Sequence, residues 1–259
     1  MCNPRQAGVP SMNVIHFGKQ NFPVVMLLHG GGLSWWNYRE AAALLQNRYH
    51  VILPILDGHA GSDADFVSIQ ENARRIIRYI DEYLGGQTMF LGGVSLGAQI
   101  AAEILAIRPD ICRCALLESA LVRPMKLTHA LIPAVFGISY GLIRQKWFAR
   151  LQAAYLGIPK SLFEDYFRDT SAITKSNLIT FLQSNSVYRI NDGLGNTTAR
   201  VKIVAGAREL PAMHASARLL HNAVPGSDLE MLPGFSHGEL SLCHPQKYIQ
   251  LLQSLMDSV

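Results

Sequence analysis

The chain predicts an α/β fold built on a mostly parallel, doubly wound sheet. Three observations carry that reading. Short apolar runs alternate with helical periodicities at both ends of the sequence, the pattern of successive strand–helix–strand units. Val24-Val25-Met26-Leu27-Leu28 is apolar without interruption, as in a strand covered on both faces. The stretch Gly92-Gly93-Val94-Ser95-Leu96-Gly97-Ala98 joins the apolar run Thr88–Leu91 to a helical pattern over Gln99–Leu105. It therefore reads as strand, tight turn, helix, with a serine at the apex.

In order along the chain, Met12–Phe17 alternates as a first strand, with Lys19-Gln20-Asn21 as its turn. After Val24–Leu28 comes His29-Gly30-Gly31-Gly32, then a helix over Asn37–Gln46 and a buried strand over Tyr49–Leu53. The loop Pro54–Asp63 leads to a helix over Val67–Tyr83, whose apolar residues at 69, 73, 76, 77 and 80 share one face. The helix after the serine turn stops near Arg108-Pro109. Cys112–Leu117, Val201–Ala205 and Leu229–Leu232 complete the strands, and Pro211 opens a helix over Ala212–Asn222. Residues 121–198 carry helical periodicity only, as in Ile143–Tyr155, Ser161–Arg168 and Asn177–Gln183. An all-helical insertion between two strands is most simply a cap over one sheet edge. The expected organisation is a core of residues 1–120 and 199–259 with a cap of 121–198.

At 49% hydrophobic and 16% charged, the 259 residues can bury a large core. The net charge of +4 is too mild to indicate nucleic acid, and none is expected as a partner. The charge is uneven, because residues 121–198 hold nine Lys/Arg against four acids, an excess of +5 that leaves −1 elsewhere. Such a cap could attract anionic substrates or rest on an anionic membrane surface, and it could equally be a solvated face. The cysteines, Cys2, Cys112, Cys114 and Cys243, read as small hydrophobes in a reducing cytosol, and no Cys/His spacing matches a zinc site. No metal or cofactor is called for. Met1–Pro10 lacks a signal-peptide core, and the apolar run Ala130–Ile143 is short for a bilayer and contains Pro133, Gly137 and Gly141. A cytoplasmic protein is expected.

A serine hydroxyl needs a base within hydrogen-bond reach to act as a nucleophile. His29, His59 and His237 fall in loops at the carboxyl ends of strands, where open α/β sheets place their ligands. His29 opens a polyglycine loop and His59 sits in a glycine-rich turn, so both read as braces for the backbone. His237, in Pro233-Gly234-Phe235-Ser236-His237-Gly238-Glu239 directly after the last strand, is the candidate base. The base in turn needs an acid to fix its tautomer. Glu209, after the strand Val201–Ala205, is the first choice, although it could merely favour the start of the following helix. Glu118, at the end of the preceding strand, is the alternative. The backbone N–H of Leu96 and that of Gly31 or Gly32 could hold an oxyanion.

His29-Gly30-Gly31-Gly32, Asp57-Gly58-His59-x-Gly61-Ser62, Gly93-x-Ser95-x-Gly97, a helical insertion, an acid and then His237 follow one another in an order that resembles the α/β-hydrolase superfamily. The resemblance covers nearly the whole chain, but the N-terminal region is too short for the superfamily's full set of leading strands, so a trimmed sheet of about seven is expected. The resemblance implies Ser95 as nucleophile, His237 as base, and Leu96 with Gly31 as oxyanion hole. The acid departs from the superfamily's usual aspartate, since the candidate here is a glutamate. The implied activity is a cofactor-free serine hydrolase acting on an ester or thioester through an acyl-enzyme. A carbon–carbon bond hydrolase or lyase on the same residues, or a non-catalytic ligand-binding member, are the other readings. For a small, apolar acyl substrate, Leu131 and Phe136 of the insertion and Trp35 and Trp36 beyond the glycine loop could line a pocket, or could simply pack cap against body.

Overall fold

The computed structural model describes residues 12–257; Cys2 and the Met1–Pro10 segment lie outside them. The chain runs β1 (Val14–Phe17), β2 (Val24–Leu28), α1 (Arg39–Leu45), β3 (His50–Pro54), α2 (Ile69–Tyr83), β4 (Thr88–Val94), α3 (Leu96–Ile107) and β5 (Cys112–Glu118). Four helices follow, α4 (Lys126–Ser139), α5 (Lys146–Tyr155), α6 (Phe163–Ala172) and α7 (Lys175–Val187). The sheet then resumes with β6 (Arg200–Gly206), α8 (Pro211–Ala223), β7 (Asp228–Leu232), α9 (Glu239–Cys243) and α10 (Pro245–Met256). The strands form one seven-stranded sheet in the order β1-β3-β2-β4-β5-β6-β7. Among the described residues only β1, paired with β3, is antiparallel.

Side-chain alternation divides the sheet between two cores. From β2, Met26 and Leu28 join residues of α2, α3 and α8, whereas Val25 and Leu27 join residues of α1 and α10. Burial on both faces is why this strand reads as continuous apolar sequence. α2 is capped by Ser68, whose hydroxyl accepts from the Glu71 N–H at 3.0 Å. Its Ile69, Ala73, Ile76, Ile77 and Ile80 are all buried, as the helical spacing requires.

The helices between β5 and β6 rest on the loops that leave β2 and β3. The buried Trp36 indole donates to Asp169 at 2.8 Å, Arg39 pairs with Asp165 at 2.8 Å, and the Thr170 hydroxyl donates to the Gly32 carbonyl at 3.0 Å. Phe181 of α7 stacks on His59 at 4.8 Å between ring centroids, and Asn177 donates to Asp65 at 2.9 Å. On the α3 side, Gln99 and Asn185 bond to each other at 2.9 Å.

The apolar run in this insertion is longer than its sequence suggests. α4 passes directly into a 3₁₀ turn, Tyr140–Arg144, giving a helical stretch Lys126–Arg144 of 19 residues that is long and apolar enough to cross a membrane. Pro133, which reads as a breaker, sits inside α4 without ending it. Cys112 and Cys114 are buried, Cys243 is half-buried, and all three are free thiols.

Replacing Trp36 with Ala removes a fully buried indole and one polar latch between insertion and body. It should lower unfolding stability by about 3–5 kcal/mol, read from denaturant midpoints. A loss under about 1 kcal/mol would mean that Trp36 does not couple the two.

Candidate active site

The turn from β4 to α3 places Ser95 at φ 53°, ψ −114°. Among the described residues only Ser95 and Ser119 are non-glycine positions with positive φ. Such backbone costs on the order of 1–3 kcal/mol and persists only where its surroundings enforce it. Here they do. A Cβ on Gly97 would overlap the carbonyl oxygens of Leu28 and His29, and one on Gly93 would overlap the backbone of Gly97. The Ser95 N–H is tied to the Glu118 carbonyl at 2.9 Å. Only glycine at 93 and 97 lets helix and strand approach so closely, and that approach lifts the serine above the strand ends.

The loop after β7 carries His237 to this turn. Its Nε2 lies 3.0 Å from Ser95 Oγ and its Nδ1 lies 2.8 Å from Glu209 Oε2. The Glu209 side chain is wholly buried. Its other oxygen accepts from the Ser119 hydroxyl at 2.8 Å and the Gly206 N–H at 2.6 Å. Burial alone would raise this carboxyl. The hydrogen bond and charge of His237, with the Gly206 and Ser119 donors, outweigh it and hold Glu209 below the usual carboxylate range. A carboxylate kept ionised in this position fixes Nδ1 as the protonated nitrogen and leaves Nε2 free to accept the serine proton.

Glu118, the alternative acid, is also buried but faces elsewhere. It accepts from the N–H groups of Leu240 and Ser241, at 3.1 and 3.2 Å, at the start of α9. Burial raises its carboxyl to about 7, although the Ser241 donors and the charge of His237 oppose the rise. Of the two acids, the one in contact with His237 is Glu209.

Ser119 is the residue that sequence reading missed. Its hydroxyl donates to Glu209 and accepts from the Gly238 N–H at 3.3 Å, tying the acid to the histidine loop. The one signal was its place immediately after Glu118 at a strand's carboxyl end.

The glycine loop after β2 is braced by the two histidines read as structural. His29 Nδ1–H donates to the Gly30 carbonyl at 2.9 Å while its Nε2 accepts from the Leu56 N–H at 3.1 Å. His59 Nδ1–H donates to the Asp57 carbonyl at 3.0 Å and its Nε2 accepts from the Gly32 N–H at 3.0 Å. Burial drives both rings down, His29 to about 3 and His59 to about 4, so both are neutral props. Gly32 has thereby spent its N–H. Gly31 keeps its own unpaired among the described residues, lies on the cavity wall with Ser95, and abuts Leu96. The Leu96 N–H, first in α3, is one of the donors a helix start leaves open.

A cavity of about 140 Å³ adjoins Ser95 and His237, with apolar walls from Leu33, Leu156, Ile158 and Leu242. None of the four expected pocket residues is on it. Trp36 is buried among Ala149, Ala153 and Tyr166, where its indole meets Asp169. Trp35 lies under the Arg39 guanidinium at 4.8 Å. Phe136 packs on the sheet-side core, and Leu131 is half exposed on α4. The apolar character of these residues serves packing and outer surface, and the insertion's share of the cavity wall comes instead from Leu156 and Ile158, just after α5. Among the described residues no group of three or more His, Cys, Asp or Glu side chains is arranged to hold a metal ion.

Fold and site together define a class. A family model described as alpha/beta hydrolase fold matches residues 23–157, more than half of the chain, and the chain belongs to that family. Solved structures with the same architecture include a putative α/β hydrolase family protein from Desulfitobacterium hafniense, 23% identical, with a TM-score of 0.76 over 94% of this chain and 100% of that one. A hydrolase from Pseudomonas aeruginosa PA01 is 16% identical, with a TM-score of 0.78 over 97% and 99%. A thermophilic esterase from Thermogutta terrifontis is 14% identical, with a TM-score of 0.77 over 95% and 93%. No curated protein matches the sequence.

The Glu118 carboxyl, raised on folding, makes the native state hold the extra proton between the usual carboxylate value and about 7. The stability this group contributes is therefore present at pH 4–5 and lost as pH rises through 7. Relative to Glu118→Gln, the wild type should lose up to about 3 kcal/mol between pH 5 and pH 8, measured by urea unfolding. A difference independent of pH over that range would contradict the placement.

Proposed function

We propose that the chain is a serine hydrolase that cleaves an ester or thioester through an acyl-enzyme. The observation that carries the reading is the unbroken hydrogen-bonded line from Ser95 Oγ through His237 to Glu209. Ser95 Oγ attacks the substrate carbonyl carbon as His237 Nε2 takes its proton. The oxyanion that forms is held by the N–H groups of Leu96 and Gly31. Collapse expels the alcohol or thiol, which receives the proton from His237 and leaves the acyl group on Ser95. Water then attacks that ester, again losing its proton to His237. The second collapse releases the acid and returns the proton to Ser95.

Glu209 remains ionised throughout and stabilises the imidazolium. The apolar walls at Leu33, Leu156, Ile158 and Leu242 support an apolar acyl or alcohol group beside the serine. The family membership supports hydrolase chemistry in general, and the esterase among the structural relatives agrees with the ester reading. The free, buried thiols support a cytoplasmic setting as part of the same proposal.

A fluorophosphonate probe should label the folded wild type and leave Ser95→Ala unlabelled. On a short p-nitrophenyl ester, Ser95→Ala and His237→Ala should each lose turnover by about 10³-fold or more, with Glu209→Gln falling in the same range. Glu118→Gln, which has no contact with His237, should stay within about tenfold of wild type. Undiminished labelling of Ser95→Ala, or normal turnover by His237→Ala, would overturn the assignment.

A further inference from the structure

Large apolar side chains exposed one at a time are ordinary on any protein surface, whereas a contiguous group marks an interaction face. Of the fifteen exposed large hydrophobics among the described residues, nine fall between Leu127 and Leu156. They are ordered. Leu127, Leu131, Val135, Ile138 and Leu142 follow one another at spacings of four, four, three and four, which makes a single stripe along a helix. Ile143 belongs to the core of the body, Phe136 packs on it and Ile132 is buried as well, so the stripe lies on the opposite, outward side of this stretch. Trp147, Leu151 and Tyr155 repeat every four residues on α5, which begins directly after that stretch.

Charge says what covers this face. No Asp or Glu occurs between Glu118 and Glu164, while Arg123, Lys126, Arg144, Lys146, Arg150 and Lys160 do, all of them exposed. An apolar stripe flanked by cations, with a tryptophan and a tyrosine among its exposed members, matches the interfacial region of an anionic lipid leaflet. A second copy fits poorly, because a two-fold interface would set this acid-free, cation-bearing segment against itself, where of the six cations only Lys146 has an ion-pair partner among the described residues, Glu164 at 2.9 Å. Spanning the bilayer fits no better. Before α4, the Met125 N–H is bonded to the Ser186 carbonyl, and after it Ala149 and Ala153 pack beside Trp36, so both ends are held to one body.

We propose that α4, the turn after it and α5 seat the protein on the surface of an anionic phospholipid bilayer, with the apolar stripe entering the headgroup boundary. The face continues into the candidate active site. Leu156, 44% exposed at the end of α5, also lines the cavity beside Ser95, as does Ile158. A molecule dissolved in the outer leaflet would thus meet an apolar path to the serine. The docking itself does not rest on the proposed hydrolysis, and the test reads binding alone.

The full chain is sedimented with vesicles of phosphatidylcholine containing about 30 mol% phosphatidylglycerol and, in parallel, with phosphatidylcholine vesicles. Binding to the anionic vesicles should be at least about tenfold tighter, and should weaken in about 0.5 M salt. The pair Arg144→Glu with Arg150→Glu should reduce it by about tenfold or more, and so should Ile138→Asp with Leu151→Asp. Circular dichroism and the urea-unfolding midpoint would verify that both variants remain folded. Emission from Trp147 should shift to the blue on anionic vesicles and not in Trp147→Phe. Absence of binding, equal binding to both vesicles, or a dimer in light scattering that Ile138→Asp dissociates would overturn the proposal.

Discussion

The structure depends on one close approach. α3 starts so near the end of β2 that no side chain fits at Gly97, and the chain must reverse at Ser95 with a positive φ. That geometry forces the serine hydroxyl outward and leaves the Leu96 N–H at an open helix start. The energetic cost is met by the sheet, because β4 lies between β2 and β5 in the middle of seven strands. The turn can be strained because its flanks cannot move.

A second network holds the other half of the candidate site to the same frame. The Glu209 carboxylate gathers donors from Ser119 after β5, from Gly206 at the end of β6 and from His237 after β7. Three neighbouring strand ends are thereby joined through one buried charge. Below them Glu118 holds the start of α9 through the Leu240 and Ser241 N–H groups. The two carboxyls are pushed in opposite directions by their surroundings, Glu209 downward by its many donors and Glu118 upward by burial. Two adjacent acids thus have different properties. One suits an ion partner for an imidazole, and the other suits a structural acceptor.

Much of this was legible in the sequence, for a physical reason in each case. Alternating strands and helices announce a parallel sheet, and a Gly-x-Ser-x-Gly turn between strand and helix has few other uses. The props His29 and His59 were readable because a histidine within a glycine loop has backbone groups close at hand. What could not be read was long-range side-chain placement. Ser119 carries no local pattern, since its role arises only when β5, β6 and the loop of His237 meet. Trp36, Leu131 and Phe136 are apolar enough for a pocket, yet apolarity alone does not tell pocket from core or outer face. The insertion's part of the cavity wall falls to Leu156 and Ile158, after a helix whose position depends on how the insertion folds over the β2 and β3 loops. The apolar run Ala130–Ile143 reads as short because it contains Pro133, which α4 accommodates without ending.

The proposed chemistry hinges on where negative charge would gather during acyl transfer. A crystal structure of the protein phosphonylated on Ser95 would measure it. Phosphorus is expected on Ser95 Oγ, with the phosphonyl oxygen within about 2.7–3.1 Å of the N–H groups of both Leu96 and Gly31. A phosphonyl oxygen turned toward solvent, with those two donors bonded elsewhere, would contradict it.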